Sequence, residues 1–511
     1  MRKATLIATL VGPPSEDGAG VAALPDCVEW LEVRADLTGD LDPDWLRQHF
    51  RGRLLYTLRS REEGGAFGGS AEQRRRRLEG AARRFDLVDL EGDRDASVEL
   101  LNEIPPSRRL ISWHGPAPDV EGLIEKFERL SANEAHLYRL VTAPAKAGDA
   151  LVPLLTLRAL GRPDVVAYAA GEMGFWSRLV APRLGAPFVF GATEREHKAT
   201  GDFGVLKLIE DYGLPGLPAC EEIYGIVGDP VRHSLSPRLH NAAYRALKHP
   251  ALFVPFHVEV FDDFWREVVK SRALEALGLT VKGLTVVSPH KEAALAAAGT
   301  HSPMTRNAGA TNLFVRRDGQ WEADTTDPEG VVIALRERGI ATHGVRAAVI
   351  GCGGAGRAIA AGLTRAGAKV TLVNRGAARG QYAVSLLGLP FSPLSKFSGS
   401  GFALIVNATP VGRDDHQSPI ELSELGEDAV VVDLAYGSEP TPLVTGARAR
   451  GRLAIDGREV LLIQVLHQFH RMTGRAMPVG PALERLGGEA ESRELLTAHG
   501  PTGGNGIPVV T

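Results

Sequence analysis

Residues 346–375 read RAAVIGCGGAGRAIAAGLTRAGAKVTLVNR. An apolar run, a glycine-rich turn, an alanine-rich segment and a second apolar run follow one another, which is typical of a strand, a helix and a parallel strand. The turn has the form Gly-x-Gly-x-x-Gly, whose glycines let the backbone approach a pyrophosphate at a helix N-terminus. The stretch therefore predicts a Rossmann-type dinucleotide site, and its phosphate-binding residues would be Gly351, Gly353, Gly354, Ala355 and Gly356.

The end of the second strand indicates which dinucleotide binds. Enzymes that use NAD usually place an acidic residue there for the ribose hydroxyls. This chain has Asn374 and Arg375 instead, and Arg379 lies four residues further on. Two guanidinium groups suit a 2′-phosphate, so the sequence predicts NADP as the cofactor. The alternative, that both arginines are solvated surface residues, stays open.

Polar residues upstream of the glycine loop predict a substrate site. The stretch VRHSLSP places Ser234 and Ser236 just ahead of a predicted helix, whose N-terminus favours an anion, although N-capping alone would explain one serine. Lys291, Asn312 and Asp327 lie at predicted strand ends or helix starts. A Lys and an Asp close together can share a proton and supply it to the alkoxide that forms when a ketone is reduced.

The order of these motifs resembles the shikimate dehydrogenase family over about residues 221–486. The resemblance rests on HSLSP, PHKEAA, GATN, DTTD, GCGGAGR, NATPVG, DLAY, TPL and DGREVLLIQ, which occur in the family's order. It implies reversible reduction of 3-dehydroshikimate to shikimate, with Lys291 and Asp327 as the catalytic pair. Asn407 and Thr409 would border the nicotinamide. The remaining substrate contacts implied are Ser234, Ser236, Asn312, Tyr436 and Gln464.

Two positions depart from the family pattern. Val287 replaces the threonine that the family usually has two residues before the proline of its PxK motif, and Thr285 or Ser288 would have to supply the lost hydroxyl. Glu459 stands where the family commonly has glycine beside the nicotinamide. The sequence therefore leaves shikimate and quinate both open as substrates.

Eight β-rich runs in the first 200 residues, with helical patterns between most of them, predict a (β/α)8 barrel, with an open α/β sheet as the alternative. The runs are 6–10, 29–35, 54–60, 86–91, 109–114, 136–142, 165–170 and 188–192. Barrel enzymes place their chemistry at the C-terminal strand ends. Those ends are predicted to carry Glu32, Arg34, Arg59, Glu63, Glu91, His114, Arg139 and Arg178. Arginines with carboxylates and one histidine indicate a small acidic substrate.

The motifs LEVRADL, TLRSREEGG, LVDLEG, ISWHG and WSRL resemble type I 3-dehydroquinate dehydratases over about residues 3–210. The resemblance implies that His114 shuttles protons and that a lysine on the sixth strand forms a Schiff base with the ketone. Arg139 falls at the lysine's position, and a guanidinium stays protonated and does not attack carbonyls. The implied substrate contacts are Glu32, Arg34, Arg59 and Arg178.

A late loop of the dehydratase family is also altered. The glutamine position of that loop falls on Gly204, whereas Thr200 would keep its hydroxyl. We therefore expect a barrel that binds a 3-dehydroquinate-like acid but is weak or inactive as a dehydratase. Lys146 and Lys198 are the candidates to replace the Schiff-base lysine. The open alternatives are a fully bifunctional dehydratase and dehydrogenase, a quinate dehydrogenase, and a ligand-sensing regulator.

Length and composition fit this division. The predicted domains of the 511 residues are the barrel (1–215), a substrate-binding domain (221–340), an NADP-binding Rossmann domain whose C-terminal helices return to the substrate lobe (341–487) and a flexible tail (488–511). A net charge of −4 gives no basic footprint for nucleic acid, and the basic run at 74–77 is expected to be a solvated helix face. Three separated cysteines favour the cytoplasm. We expect small-molecule substrates, and no metal, membrane span or nucleic-acid partner.

Overall fold

The computed structural model describes residues 2–193, 196–197, 202–437 and 439–486. The chain divides into two compact units, Met1–Val281 and Lys282–Thr511. The proposed tail at 488–511 lies outside the described residues. The boundary between the units falls inside the segment predicted as one substrate domain (221–340), so the three-domain division stays a prediction.

The first unit contains eight parallel strands, each followed by helical structure. The strands are Thr5–Leu10, Val28–Arg34, Arg53–Thr57, Leu87–Glu91, Arg109–Pro116, Leu137–Ala143, Val165–Ala169 and Phe188–Ala192. They pair in chain order from the first to the seventh, and the eighth pairs with the first. The prediction of a (β/α)8 barrel is confirmed, and the barrel is nearly closed. The alternative prediction, an open α/β sheet, is wrong.

The helices of the barrel surround these strands. The longer ones are Pro43–His49, Ala71–Ala82, Val98–Glu103, Val120–Ser131, Val152–Leu160, Gly171–Val180 and Val205–Tyr212. All five residues of Leu87–Glu91 are buried, as are those of Val165–Ala169. Such continuous burial is typical of parallel strands covered on both faces. Two short strands, Arg2–Lys3 and Gly216–Leu217, pair antiparallel at the ends of the barrel segment.

The sequence predicts that the basic run at 74–77 is a solvated helix face, but Arg74 in this run is not solvated. Arg74 is buried, and its guanidinium donates to both carboxylate oxygens of Asp95 at 2.7 and 2.6 Å. Glu91 lies 3.4 Å from the same guanidinium. The expectation was wrong for Arg74 because carboxylates distant in sequence meet it in the folded barrel and neutralise its charge.

The rest of the first unit carries the serine motif. Strands Glu222–Gly228 and Ala251–His257 pair in parallel, and helix Ser236–Leu247 connects them. The helical segments Phe261–Phe264, Trp265–Lys270 and Ala273–Ala276 follow, and strand Thr280–Val286 crosses the boundary between the units.

In the second unit, Thr280–Val286 pairs antiparallel with Leu313–Arg317, which pairs antiparallel with Gln320–Asp324. Short helices Lys291–Ala297 and Pro303–Ala308 precede these hairpin strands, and helix Asp327–Glu337 follows them. Lys291 and Asp327 are therefore each the first residue of a helix, and Asn312 immediately precedes a strand, as the sequence predicts.

A six-stranded parallel sheet completes the second unit. Its order is Phe391–Pro393, Lys369–Asn374, Arg346–Ile350, Leu404–Asn407, Val430–Asp433 and Ala454–Ile455. Its helices are Gly354–Arg365, Ala377–Leu387, Pro442–Arg448, Gly457–Thr473 and Val479–Leu486. This is the predicted Rossmann arrangement, with the glycine loop between the central strand and the first helix.

Candidate functional site

The glycine loop has the geometry that a pyrophosphate requires. Gly351 has φ +104°, and a Cβ at Gly356 would lie 1.8 Å from the carbonyl oxygen of Gly351, so neither position accepts a side chain without rearrangement. Helix Gly354–Arg365 begins after Gly353, which makes no side-chain capping bond. A Cβ at Gly353 would meet nothing within 4 Å. The space beside Gly353 at this helix start is thus free of atoms of the described chain, which leaves room for an anion.

The residues predicted for the 2′-phosphate lie beside this loop. Asn374 ends its strand, accepts a hydrogen bond from the Cys352 backbone N–H at 3.2 Å and donates to Gly376 O at 2.8 Å. Arg375 and Arg379 are exposed, and Arg379 lies 3.6 Å from Glu292. Asn374 therefore fixes the loop, whereas the two guanidinium groups are accessible to a ligand.

Asn407 organises the turn that contains Thr409. Asn407 is fully buried, its Oδ1 accepts from the backbone N–H and the hydroxyl of Thr409 at 3.0 and 2.7 Å, and its Nδ2 donates to Asp433 at 2.8 Å. Burial raises the pKa of Asp433 to about 6, although bonds from Thr441, the Ala435 backbone and Asn407 oppose the shift. A Cβ at Gly351 would lie 2.8 Å from Thr409 Cγ2, so this turn borders the glycine loop.

The predicted catalytic pair is formed. Lys291 Nζ donates to Asp327 Oδ2 at 2.6 Å, and Asp327 is buried. The second oxygen of Asp327 accepts from Asn312 at 2.9 Å and from Gln464 at 3.1 Å. Three predicted residues thus meet at the carboxylate of a fourth, and this arrangement holds the ammonium group of Lys291 in a fixed position.

The catalytic pair lies against the glycine loop. A Cβ at Gly354 would lie 2.9 Å from Ala310 Cβ and 3.1 Å from Lys291 Cβ. Arg357, three residues further along the helix, is fully buried and donates to Glu292, the neighbour of Lys291, at 2.9 Å. The loop and the lysine are therefore joined through direct packing, and Arg357 is a contributor that the sequence analysis missed.

The structure explains one of the two family departures. Glu459 forms a two-point ion pair with Arg338 at 2.7 and 3.3 Å, so its carboxylate is neutralised beside helix Asp327–Glu337. The buried hydroxyl of Thr285 already donates its one hydrogen to Gln468 at 3.0 Å, so Thr285 has no further hydrogen to donate to a substrate in place of the missing threonine. Ser288 is exposed and remains the candidate.

Ser234, Ser236 and Tyr436 complete the list of predicted substrate contacts. Ser236 is the first residue of its helix and is buried, and its N–H donates to Ser234 Oγ at 3.2 Å. Both serines belong to the first unit, whereas Lys291 and Asp327 belong to the second. Tyr436 is half-buried and follows strand Val430–Asp433.

Arg139 on the sixth barrel strand is locked by two carboxylates. Its guanidinium donates to Glu32 at 2.8 Å and to Asp89, and it lies 4.7 Å from the ring centre of Phe190. Burial opposes ionisation of Glu32, but Arg139 and Arg59 together lower its pKa to about 2. The same two carboxylates raise the pKa of Arg139 further, against the effect of burial. This arginine is permanently cationic and cannot act as an amine.

His114 and Glu63 form a second pair in the barrel. Glu63 Oε2 accepts from the His114 backbone N–H at 3.0 Å and lies 2.9 Å from His114 Nδ1. Burial, then Glu91 and Asp89, raise the pKa of Glu63 to about 9. Burial, then Arg59 and Arg139, hold the pKa of His114 well below its usual range. The histidine is therefore neutral, and its buried Nε2 has no hydrogen-bond partner among the described residues.

The other predicted barrel residues take varied positions. Arg34 is held by Asp36 through two bonds of 2.8 and 2.7 Å, and Glu91 accepts from the Ser60 backbone N–H at 2.6 Å.

Burial, then Arg34 and Arg139, lower the pKa of Arg59 to about 10. Arg178 lies in the last turn of helix Gly171–Val180 rather than at a strand end, and its buried guanidinium donates to Phe190 O at 3.1 Å.

Of the two candidate replacement lysines, Lys146 lies in the described part of the chain. Lys146 is exposed, and its Nζ donates to Glu267 at 3.1 Å, whereas Arg139 is buried. Lys198 and Thr200 lie outside the described residues, and Gly204 caps helix Val205–Tyr212. Asp36 and Asp89 were missed from the sequence. Asp89 could have been found, because it alternates with Glu91 along one strand and so shares its face.

In the described part of the chain, no group of three or more His, Cys, Asp or Glu side chains could hold a metal ion. No helix in that part of the chain is both long and apolar enough to cross a membrane.

Comparisons with known proteins agree with this architecture. Residues 16–216 match the family model of type I 3-dehydroquinase, and residues 226–314 match that of the shikimate dehydrogenase substrate-binding domain. The chloroplastic bifunctional 3-dehydroquinate dehydratase/shikimate dehydrogenase of Arabidopsis thaliana is 26% identical over 88% of this chain and 78% of its own length. Shikimate dehydrogenase (NADP(+)) of Thermococcus kodakarensis is 36% identical over 52% of this chain and 97% of its own length.

A solved structure is also similar. Shikimate 5-dehydrogenase from Thermus thermophilus, in complex with NADP(H) and shikimate, is 30% identical over 54% of this chain and 99% of its own, with a TM-score of 0.47. Fold and site together define a Rossmann-type dinucleotide-binding half joined to a (β/α)8 barrel. The chain belongs to the shikimate dehydrogenase family, since it covers nearly all of a relative that is 36% identical to it, and its barrel matches the type I 3-dehydroquinase model.

Proposed function

We propose that the chain reduces 3-dehydroshikimate to shikimate reversibly, as an NADP-dependent dehydrogenase of the shikimate pathway. One observation carries this proposal: the hydrogen-bonded pair of Lys291 and Asp327 packs directly against Gly354 of the glycine loop. A ketone reductase needs a proton donor within reach of the carbonyl oxygen, and this contact places the donor at the edge of the cofactor site.

The residues present fit the cofactor. The helix start at Gly354 would hold the pyrophosphate, Arg375 and Arg379 the 2′-phosphate, and Asn407 and Thr409 would border the nicotinamide. When bound, NADPH supplies the hydride for the ketone carbon. Lys291 gives a proton to the carbonyl oxygen, while the buried carboxylate of Asp327 keeps the ammonium group oriented. Asn312 and Gln464 hold that carboxylate from its other oxygen.

The substrate contacts are proposed from the sequence motifs. Ser234 and Ser236 would bind the substrate carboxylate, and Tyr436 would contact the ring. Val287 removes one hydroxyl from the expected set, so quinate is a second candidate substrate. Small molecules are the partners in this proposal, and the net charge of −4 argues against a nucleic-acid partner. We assign the reaction to the cytoplasm, which the three free cysteines support.

For the barrel we propose binding of a 3-dehydroquinate-like acid with weak or absent dehydratase activity. Arg139 is paired with Glu32 and Asp89, and a permanently charged guanidinium forms no Schiff base. The neutral His114 with its unpartnered Nε2 keeps a proton-transfer group in the described part of the barrel. Non-covalent recognition of an acid would use Arg34, Arg59 and Arg178, whereas covalent catalysis lacks its amine at position 139.

A paired assay on the full chain tests both halves. We expect NADP⁺ reduction with shikimate and little or no enone absorbance with 3-dehydroquinate alone. Lys291→Ala should lower turnover about 10²- to 10⁴-fold, the usual contribution of general acid catalysis, and leave NADPH binding measured by fluorescence unchanged. An unimpaired variant contradicts the dehydrogenase assignment, and faster turnover with quinate than with shikimate changes the substrate.

A separate experiment tests whether a lysine of the barrel forms a Schiff base. Borohydride treatment in the presence of 3-dehydroquinate, followed by mass spectrometry, should leave every barrel lysine unmodified. An adduct together with a strong enone signal would instead make the chain a bifunctional dehydratase and dehydrogenase. A barrel that binds 3-dehydroquinate in calorimetry without producing an enone is the expected outcome.

A further inference from the structure

Residues 233–237, which include Ser234 and Ser236 and are called the serine segment, lie between two arginines that both contact the barrel. Arg232 precedes Ser234 by two residues, and Arg238 follows Ser236 by two. Arg232 Nη1 donates to Glu172 Oε1 at 2.7 Å. Arg238 Nε donates to Asp211 at 2.5 Å, and its Nη2 donates to Glu210 at 3.1 Å. All of these residues belong to the first unit.

Arg232 has further contacts with the barrel. Its guanidinium lies 5.5 Å from the ring centre of Phe203, and Lys207 Nζ donates to its carbonyl oxygen at 3.0 Å. Phe203 in turn stacks on Phe175 at 3.6 Å between ring centres. Both the side chain and the backbone of Arg232 are therefore held from the barrel side.

The partners of Arg232 follow the C-terminal ends of barrel strands, whereas the partners of Arg238 lie in the last turn of helix Val205–Tyr212. Glu172 and Phe175 belong to helix Gly171–Val180, which follows the seventh strand and also carries Arg178. Phe203 follows the eighth strand, and Asp211 lies in the next helix. Helix Gly171–Val180 thus carries both Arg178, a predicted residue of the barrel's candidate site, and Glu172, which binds the segment that carries the dehydrogenase serines.

Within the described residues, the backbone hydrogen bonds of the serine segment join uncharged groups, such as the Ser234 N–H to Val231 O bond at 3.1 Å, whereas the contacts of its two flanking arginines are charge-assisted. The helix Ser236–Leu247 begins after Leu235, which makes no side-chain capping bond, and Ser234 Oγ accepts a long bond from Ser236 N–H. Arg232 on one side and Arg238 on the other anchor the segment through charge-assisted bonds, which are stronger than the neutral hydrogen bond of 3.2 Å inside it.

We propose that Arg232 and Arg238 are positioning residues that clamp Ser234 and Ser236 onto the barrel, so that the barrel serves the dehydrogenase as a scaffold for its substrate carboxylate. This inference rests on the proposed function. It gives the barrel a task that needs no Schiff-base lysine. The clamp acts on substrate binding and leaves proton transfer by Lys291 unchanged.

Kinetics of the full chain test the clamp. In Arg232→Ala, Arg238→Ala and Glu172→Ala we expect the KM for shikimate to rise about 10-fold or more, the loss of one charge-assisted bond, with kcat within about twofold and an unchanged KM for NADP⁺. The double variant Glu172→Ala/Arg232→Ala should be no worse than either single variant. Arg232→Lys should recover part of the affinity. Arg162→Ala, which breaks the exposed Arg162–Asp164 pair of the barrel, is the matched control and should behave as wild type.

Hydrogen exchange separates failure of the clamp from failure of the proposed function. In Arg232→Ala, amides of residues 231–240 should exchange faster than in wild type and in Arg162→Ala, whatever reaction the chain catalyses. Unchanged exchange together with an unchanged KM for shikimate overturns the clamp. A lower apparent kcat with both KM values unchanged overturns it too, because a smaller folded fraction lowers turnover without changing the affinity of the folded molecules. A wild-type chain inactive with shikimate overturns the proposed function alone.

Discussion

Lys291 lies against Gly354, so closely that a Cβ at position 354 would stand 3.1 Å from Cβ and 3.2 Å from Cδ of the lysine. Gly354 is also the first residue of the helix proposed to hold the pyrophosphate. The absence of a side chain at one position therefore serves two purposes. It lets the helix start approach a phosphate, and it lets the proton donor lie beside the cofactor loop.

We therefore expect Gly354→Ala to lower kcat by more than its loss of folding stability alone would explain. The added methyl group would meet Ala310 at 2.9 Å and push Lys291 away from Asp327. Overpacking of this kind costs about 1–3 kcal/mol, and we expect kcat with shikimate to fall at least about 10-fold and the Tm to drop. Steady-state kinetics and calorimetry measure both effects.

Gly353→Ala is the matched control for that substitution. A Cβ there meets nothing within 4 Å, and the backbone at Gly353 is extended, so the variant should melt as wild type does. Its methyl group would intrude only on the bound dinucleotide, which should raise the KM for NADP⁺. If Gly353→Ala and Gly354→Ala lower kcat equally at saturating NADP⁺, the proposed contact between Lys291 and the loop has no catalytic role.

Arg375→Ala should weaken NADP⁺ selectively. Arg375 is exposed at the end of its strand, and Arg379 keeps a 3.6 Å contact with Glu292. Loss of one bond to a 2′-phosphate corresponds to about 1.5–3 kcal/mol, so the KM for NADP⁺ should rise about 10- to 100-fold while turnover with NAD⁺ stays the same. Arg365→Ala, an exposed arginine at the far end of helix Gly354–Arg365, is the control. Equal loss with both dinucleotides would contradict a 2′-phosphate contact.

Local chemistry made much of this molecule predictable. The barrel strands were found within a few residues because apolar runs and turns mark their ends, and the glycine loop was found because its backbone demands are local. Lys291 and Asp327 were expected together, and the structure joins them at 2.6 Å. Each of these features is encoded within a short stretch of sequence.

Contacts between distant residues were the ones that the sequence could not reveal. Thr285 looked available to a substrate, but its partner Gln468 lies 183 residues away. Asp89 meets Arg139 only because the barrel closes, and Arg74 is buried because Asp95 and Glu91 reach it. The periodicity of one element says which face is apolar, but not which charge lies on the neighbouring element.

Arg139→Met should destabilise the barrel strongly. It would leave Glu32 and Asp89 as buried, uncompensated carboxylates, and breaking a buried charge pair in this way costs about 3–5 kcal/mol. Arg139→Lys keeps a cation and should cost less. We expect a large fall in Tm for the first variant, a smaller one for the second, and almost none for Arg94→Met, which breaks only the exposed Arg94–Glu62 pair. Equal Tm values for Arg139→Met and Arg94→Met would exclude a structural role for Arg139.

Glu63→Gln should remove a pH dependence of stability. The pKa of Glu63 is raised from 4.5 to about 9, by burial first and then by Glu91 and Asp89. The folded chain therefore holds a proton that the unfolded chain loses near pH 4.5, so this group's contribution to stability is fully present below pH 4.5 and is lost as the pH rises towards 9. Glutamine, which resembles the protonated acid, should stabilise the protein at pH 8 by at least about 1.4 kcal/mol, the equivalent of one pKa unit.

The measurement is the slope of Tm against pH between pH 5 and 9. Wild type should lose stability across this range more steeply than Glu63→Gln, because the amide has no proton to release while still accepting the His114 backbone N–H. Glu62→Gln changes an exposed neighbouring carboxylate and should keep the wild-type slope. Parallel slopes for wild type and Glu63→Gln would mean that Glu63 is ionised in the folded barrel. His114 would then carry the proton, and the barrel's proton-transfer group would be an imidazolium rather than the neutral imidazole described above.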